Sequence, residues 1–190
     1  MSKQILVEVS ARHVHLTQAD FHKLHGKNKN LISIRKLSQP GEFASKETVT
    51  LTNGNNKIED VRILGPFRKK SQVEISLTDA YKLKLNPLPS IRVSGDTSGT
   101  TSITVKGHKG NVKIPVIIAQ RHLHSSEKQA KELKLKNNQK ISIKINGERE
   151  TTFHNIIVRV SKDYDLSLHL DTDEANSAEI KGRTWGNIIK

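Results

Sequence analysis

The sequence contains no cysteine, which excludes disulfides, thiolate metal ligands and a cysteine nucleophile together. It fits a reducing compartment. Aromatic residues make up only 4% of the chain. Cores must therefore come from isoleucine, leucine and valine, a composition suited to small β-barrels. Little is available for stacking nucleobases. No apolar run reaches membrane-spanning length, and Met1-Ser2-Lys3-Gln4 leads straight into a strand-like segment, so neither a transmembrane span nor a signal peptide is expected. Acidic residues are the minority: 32 Lys and Arg against 19 Asp and Glu leave a net charge of +13, which points to an anionic partner. The basic residues are spread rather than massed, which disfavours nucleic acid; a phosphate or nucleotide cofactor fits the charge equally well, and part of the excess reads as solvated lysine, as in Lys131 to Lys136.

What is present is a repeated motif. Ala11-Arg12-His13-Val14-His15-Leu16 and Gln120-Arg121-His122-Leu123-His124-Ser125 each follow an apolar β-type run, Ile5 to Val9 and Ile114 to Ile118, and each precedes a short helical pattern. Residues i and i+2 of a strand share a face, so each His-x-His presents two imidazoles side by side. Histidine is the commonest metal ligand, and two such rings are two thirds of a catalytic zinc site. One such motif alone is more often a core or surface pair; the same string twice in the same context is not. Reading each half onward, Val73-Glu74-Ile75 and Leu168-His169-Leu170 are apolar-alternating strands that run into a Thr-Asp turn, each with one ligand-type residue between aliphatics. The sequence thus reads as a duplication with two metals, zinc being the favoured ion: His13, His15 and Glu74 for one, His122, His124 and His169 for the other. His22, His25, His108 and His154 lack a paired neighbour and read as surface or structural.

At 190 residues the duplicated chain is expected to form two small domains. Thr17 caps an expected helix over 18–25 that ends at Gly26. Strands are expected at 4–10, 31–34, 47–52, 58–64, 102–106, 112–119, 140–145, 150–153, 155–160 and 165–170. Further short helices are expected at 78–85, from Ser125-Ser126-Glu127 to about Glu132, and at 173–178. Asn53-Gly54 and Asn146-Gly147 are hairpin signals, Leu37 to Phe43 is a turn-bearing loop about Pro40-Gly41, and Ser94-Gly95-Asp96 is a loop of the kind that lines sites. Arg68-Lys69-Lys70 precedes the Glu74 strand. It is either a solvated hairpin tip or an anion clamp, since the Arg fork matches phosphate oxygens.

Seven ordered motifs then carry a resemblance: Arg12 to Leu16, Leu37-Ser38-Gln39-Pro40-Gly41, Val61 to Pro66, Gln72 to Ser76, Ser94-Gly95-Asp96, Arg121 to His124, and His169 to Asn176. The chain resembles phosphate propanoyltransferases, the PduL-type phosphotransacylases, along essentially its whole length. The resemblance implies a bacterial, mainly β protein of two β-barrels capped by short helices, with the active site between them. The first barrel would span residues 12–119; the second would span 1–11 and 120–190, because the first strand crosses over. It implies transfer of an acyl group, propanoyl or acetyl, between coenzyme A and inorganic phosphate, as in propanediol or acetate metabolism. It further implies two Zn2+ per chain, one on His13, His15 and Glu74 with the coenzyme A sulfur as outer ligand, and one on His122, His124 and His169 completed by water or phosphate. Arg68 matches the phosphate-binding arginine, and Ser10, Arg35, Arg62, Leu64 and Asn176 match coenzyme A contacts. Neither nucleic acid nor membrane is implied, and a homodimer is compatible. Members packaged in microcompartments carry an N-terminal amphipathic extension; this sequence starts at its first strand, so a cytoplasmic location is expected. With no cysteine and no evident Ser-His pair, direct attack by phosphate is expected over an acyl-enzyme. The runner-up functions are a dizinc thioester or phosphoester hydrolase and a non-catalytic metal-binding β-barrel module.

Overall fold

Period-two alternation of aliphatic residues governs most of the chain, and in the computed structural model, which describes residues 4–189, it is expressed as fourteen strands and four short helices. In chain order these are β1 (Gln4–Val9), β2 (His13–His15), α1 (Gln18–His25), β3 (Ser33–Lys36), β4 (Phe43–Asn53), β5 (Asn56–Gly65), β6 (Gln72–Ile75), α2 (Leu77–Lys82), β7 (Ile91–Arg92), β8 (Ser102–Lys106), β9 (Asn111–Ala119), β10 (His122–Ser125), α3 (Glu127–Leu133), β11 (Lys140–Ile145), β12 (Thr151–Val160), β13 (Ser167–Leu170), α4 (Thr172–Ser177) and β14 (Arg183–Ile189).

The strands close into two six-membered rings of the same topology. One runs β1-β13-β10-β12-β11-β14 and back to β1. The other runs β9-β6-β2-β5-β4-β8 and back to β9, with β3 added beside β4 and β7 beside β9. In both rings the His-x-His strand has a parallel neighbour on one side and an antiparallel neighbour on the other: β5 and β6 flank β2, and β12 and β13 flank β10. The strand that precedes each His-x-His motif lies in the opposite ring, β1 beside β13 and β9 beside β6. The duplication is therefore reciprocal, each ring taking one strand from the other half of the sequence. By compactness the chain divides into two units. One comprises the chain up to Ala11, Ser38–Pro40 and everything from Gln120 on; the other comprises Arg12–Leu37 and Gly41–Ala119.

Each ring is filled by its own aliphatic core. Val14, Leu16, Leu51, Ile63, Val73, Val105 and Val116 pack in one. Ile5, Val7, Leu123, Ile143, Val158 and Leu168 pack in the other. Closing the ring leaves no open sheet edge there. No helix among the described residues is long and apolar enough to cross a membrane.

Thr17 caps α1 through its side chain, which accepts from Asp20 N, and α1 covers the expected residues. Several expectations are corrected. The strand expected at 31–34 lies instead at Ser33–Lys36, an exposed edge strand with Ile32 and Ile34 in solvent. The helix expected to Leu85 stops at Lys82, because Lys84 turns left-handed at φ 50°. The strands expected at 150–153 and 155–160 are one strand, β12, in which Asn155 at φ 57° absorbs a bulge against β11. Strands β7 and β14 were not anticipated. In β14, Gly186 reads as a breaker in sequence. It is there because β14 approaches β11 closely: a Cβ would lie 2.6 Å from Ile143 Cγ2 and 2.8 Å from Ile145 Cδ1.

The turn between β8 and β9 is pressed against α1. A Cβ on Gly107 would lie 2.3 Å from the Leu24 carbonyl oxygen, and Lys109 N donates to that same oxygen at 2.9 Å. Backbone cannot yield as a side chain can, so Gly107→Ala should destabilise the protein by about 1–3 kcal/mol, the scale of core overpacking. Urea unfolding of the variant beside Gly54→Ala, whose site has open space but a positive φ, separates the steric cost from the conformational one.

Candidate metal centres

Val14 and Leu123 are fully buried in the two cores, which turns the flanking histidines of each motif to the other side of the strand. The antiparallel neighbour then supplies the third group in register: His13 lies opposite Glu74, and His122 lies opposite His169. All six residues expected as ligands are brought together as two separate triads, the candidate ligand atoms within each lying within 4.8 Å of one another.

In the first triad the Nε2 atoms of His13 and His15 are 3.1 Å apart, and Glu74 Oε1 lies 3.6 Å and 3.8 Å from them. Ligands at 2.0–2.1 Å from a tetrahedral zinc lie roughly 3.3 Å from each other. The donor set and spacing therefore fit a zinc-like ion. Burial keeps the His15 ring neutral, holding its pKa well below the usual range, with the nearby charges of His13 and Arg68 adding to the effect against Glu74. Burial raises the Glu74 carboxyl, but His13, His15 and the Ser94 hydroxyl together hold it well below the usual carboxylate range. A neutral imidazole and an ionised carboxylate are the states that bind metal.

The second triad is built alike. His122 and His124 place their Nε2 atoms 3.0 Å apart, and the His169 ring lies against both. His122 Nδ1 sits 2.8 Å from the Gln120 carbonyl, the partner that fixes Nδ1 as the protonated nitrogen and leaves Nε2 for a metal. Tyr164 packs edge-on to His124 with centroids 4.3 Å apart.

The arginine of each motif is a latch. Arg12 Nε lies 2.9 Å from both oxygens of Asp79, and Arg121 Nε lies 3.1 Å from Glu174 Oε1. Asp79 and Glu174 are both the N3 residues of capping boxes, on α2 with N-cap Ser76 and on α4 with N-cap Asp171. Each latch thus ties the start of a ligand-pair strand to the helix that follows the third ligand. The sequence showed the repeated arginine but gave no sign of its partner.

Other expected residues fall as follows. Arg68 Nη2 pairs with Glu42 at 2.9 Å, and Nη1 donates to Ser94 Oγ at 3.3 Å; Ser94 in turn donates to Glu74 at 2.6 Å. Arg68 is thereby joined to the first triad through one hydroxyl. Arg62 and Leu64 lie on β5 directly beside His13 and His15, and Arg62 donates to the carbonyls of Ser45 and Lys46. Arg35 lies on β3 opposite Ala44, which also pairs with Leu64. Ser10 N donates to the Leu170 carbonyl, and Asn176 is exposed on α4, its carbonyl accepting from Arg149. His25, read as unpaired, packs with Phe21 and His108. Gln72 was missed: it donates to both Glu74 and Ser94.

Acidification of the metal-free protein should unfold it in two windows. The ordinary histidine value is 6.5, and folded His15 lies well below it. As pH falls below 6.5 the unfolded chain takes up a proton that the buried ring refuses, so stability is full above that pH and declines beneath it. Glu8 is pulled from 4.5 to about 2 against its burial, chiefly by His169 and Ser38, and Glu74 moves in the same direction. Their stabilisation is present above the ordinary carboxylate range and is lost as pH falls towards the folded values. Urea midpoints measured in chelator from pH 7.5 to 3 should decline first below 6.5 and again below 4.5.

The family model for phosphate propanoyltransferase matches residues 6–181. Proteins named phosphate propanoyltransferase are similar along nearly the full length. That of Thermotoga maritima is 43% identical, covering 92% of this chain and 83% of the relative. That of Lachnoclostridium phytofermentans is 46% identical, covering 96% and 84%, and that of Clostridioides difficile is 40% identical, covering 98% and 89%. The chain belongs to the phosphate propanoyltransferase family, a family of acyltransferase enzymes.

Proposed function

We propose that the protein interconverts an acyl-coenzyme A and inorganic phosphate with an acyl phosphate and free coenzyme A, using propanoyl or acetyl groups. The observation that supports this reading most directly is the assembly of six ligand-type residues into two buried triads within a chain of this family. His13, His15 and Glu74 would hold one Zn2+, and His122, His124 and His169 a second. A divalent metal so held supplies Lewis acidity and favours a thiolate over a thiol. Residues 12–119 would act as one domain, and 1–11 with 120–190 as the other, in a cytoplasmic enzyme.

The chain's own residues have distinct tasks in this reading. Glu74 stays ionised and keeps its place through Gln72 and Ser94. Arg68 is the phosphate ligand: its guanidinium carries five N–H donors, and Glu42 and Ser94 occupy only part of that fork. Held there, a phosphate oxygen bonds to the acyl carbon as the carbon–sulfur bond breaks and the sulfur leaves as coenzyme A. Positioning two reactants in this way is a large share of the acceleration in such reactions. Ser10, Arg35, Arg62, Leu64 and Asn176 are assigned to coenzyme A. A dizinc hydrolase would give free acid from the same triads, but it has no need to seat inorganic phosphate.

Thiol release from acetyl- and propanoyl-coenzyme A should depend on phosphate and yield acyl phosphate; phosphate-independent release of free acid would establish the hydrolase instead. Arg68→Ala should lower kcat/KM for phosphate by roughly 100-fold, the scale of removing one charge-stabilising donor. Arg68→Lys should recover only part, because a point charge lacks the fork. Metal content should not change, since the hydrogen bonds that join Arg68 to the first triad run through Ser94.

A further inference from the structure

Most arginines near the two triads are already engaged. Arg12 meets Asp79, Arg68 meets Glu42, Arg121 meets Glu174 and Arg183 meets Glu8. Arg62 donates to two backbone carbonyls. Arg159 differs. It is half-buried, and among the described residues its guanidinium makes no ion pair or hydrogen bond. The contact it makes is with the Tyr164 ring, whose centroid lies 5.7 Å from the guanidinium carbon.

The placement of this arginine follows from strand register. β12 runs parallel to β10 and sets Ile157, Val158 and Arg159 beside His122, Leu123 and His124. Leu123 and Val158 are fully buried in the core. Side chains alternate along a strand, so Arg159 comes out on the face that carries His124. Tyr164 touches both, since its ring also packs edge-on to His124 with centroids 4.3 Å apart. Asp163 and Asp165 flank Tyr164 in sequence, and neither pairs with Arg159. A guanidinium over a ring is held through its charge, and its five N–H donors stay available to another partner.

The first ring does not repeat the arrangement. There β5 sets Arg62 beside His13 and Leu64 beside His15. Leu64 thus holds the place that Arg159 takes in the second ring. The ligand sets differ in the same sense: Glu74 gives the first triad a carboxylate, whereas the second is three imidazoles. The carboxylate beside His169, Glu8, is paired with Arg183. A divalent ion on three neutral imidazoles keeps its full charge, and an open guanidinium on the same face adds to it. That combination attracts a dianion with several oxygens, and the guanidinium fork matches phosphate.

We propose that Arg159, carried on the Tyr164 ring, is a phosphate-binding side chain at the second triad. Its ligand is the inorganic phosphate of the acyl-transfer reaction, and it acts in addition to Arg68. Tyr164 is its positioning residue. The proposal rests on the phosphate-transfer reading above.

The test is calorimetric titration of inorganic phosphate into the zinc-loaded full chain, with wild type beside Arg159→Gln, Arg159→Lys, Tyr164→Phe and Tyr164→Leu. Arg159→Gln should weaken phosphate binding by about ten- to a hundredfold, the scale of losing a hydrogen bond to a charged group. Arg159→Lys should recover part, because a point charge lacks the fork. Tyr164→Phe keeps the ring and should bind as wild type does; Tyr164→Leu should fall between wild type and Arg159→Gln. Zinc content and coenzyme A affinity should stay at their wild-type values, which also shows that each variant is folded. Phosphate affinity unchanged in Arg159→Gln but reduced in Arg68→Ala would overturn the inference and leave the phosphate-transfer reading standing. So would weaker coenzyme A binding with phosphate binding intact, since the guanidinium would then serve the phosphates of the coenzyme. Loss of a zinc ion from Arg159→Gln would make Arg159 a structural support and overturn the inference as well. A wild type that binds no phosphate would overturn the inference and the reading together.

Discussion

Both triads depend on antiparallel register. His13 faces Glu74 because β2 and β6 pair at that position, and His122 faces His169 because β10 and β13 do. Side chains alternate along a strand, so a slip of one residue would carry Glu74 to the core side and bring Val73 or Ile75 against the imidazoles. The register is secured from the apolar side. Val14, Val73, Leu123 and Leu168 are fully buried, and the same slip would expose all four. Core packing and ligand placement are thus two faces of one constraint: the aliphatic residue between each pair of histidines fixes where the histidines point.

The helices and latches act on the same constraint from the strand ends. Each third-ligand strand runs directly into a capped helix, α2 after β6 and α4 after β13. The capping residue at N3 also accepts the arginine that opens the His-x-His motif. A carboxylate in the first turn of a helix is favoured by the unpaired N–H groups there, which supports the arginine pairing too. The two latches are not equal. Asp79 is almost wholly buried, whereas Glu174 is partly open, and burial with the neighbouring Asp171 raises the Glu174 carboxyl against the pull of Arg121. The Arg12 latch is therefore the one whose loss strands a buried charge.

The sequence made some of this legible and hid the rest for identifiable reasons. The duplicated Arg-His-x-His string, the aliphatic alternation and the Thr17 and Ser126 caps are local signals that point to a mainly β chain of two related halves, and closure into two barrels is what the family resemblance implies. Glu74 and His169 were visible because each stands alone among aliphatics. Strand β14 was not visible, because Gly186 interrupts the pattern where two strands approach too closely for a side chain. The partners of Arg12, Arg121, Glu42 and Glu8 were not visible either. These are contacts across long stretches of chain, and no periodicity in sequence encodes which carboxylate meets which guanidinium.

The asymmetry between the triads is the feature that a plain duplication would not produce. Two imidazoles and a ligating carboxylate would reduce the formal charge of a divalent ion by one. Three imidazoles would leave it undiminished, and the carboxylate beside His169, Glu8, divides its oxygens between His169 and Arg183. An ion with more residual charge is the stronger partner for oxyanions, and a partly neutralised one suits a soft thiolate better. Arg68 adjoins the first triad, through Ser94 and Glu74. Its positive charge therefore stands beside the one triad whose own ligand set carries a carboxylate.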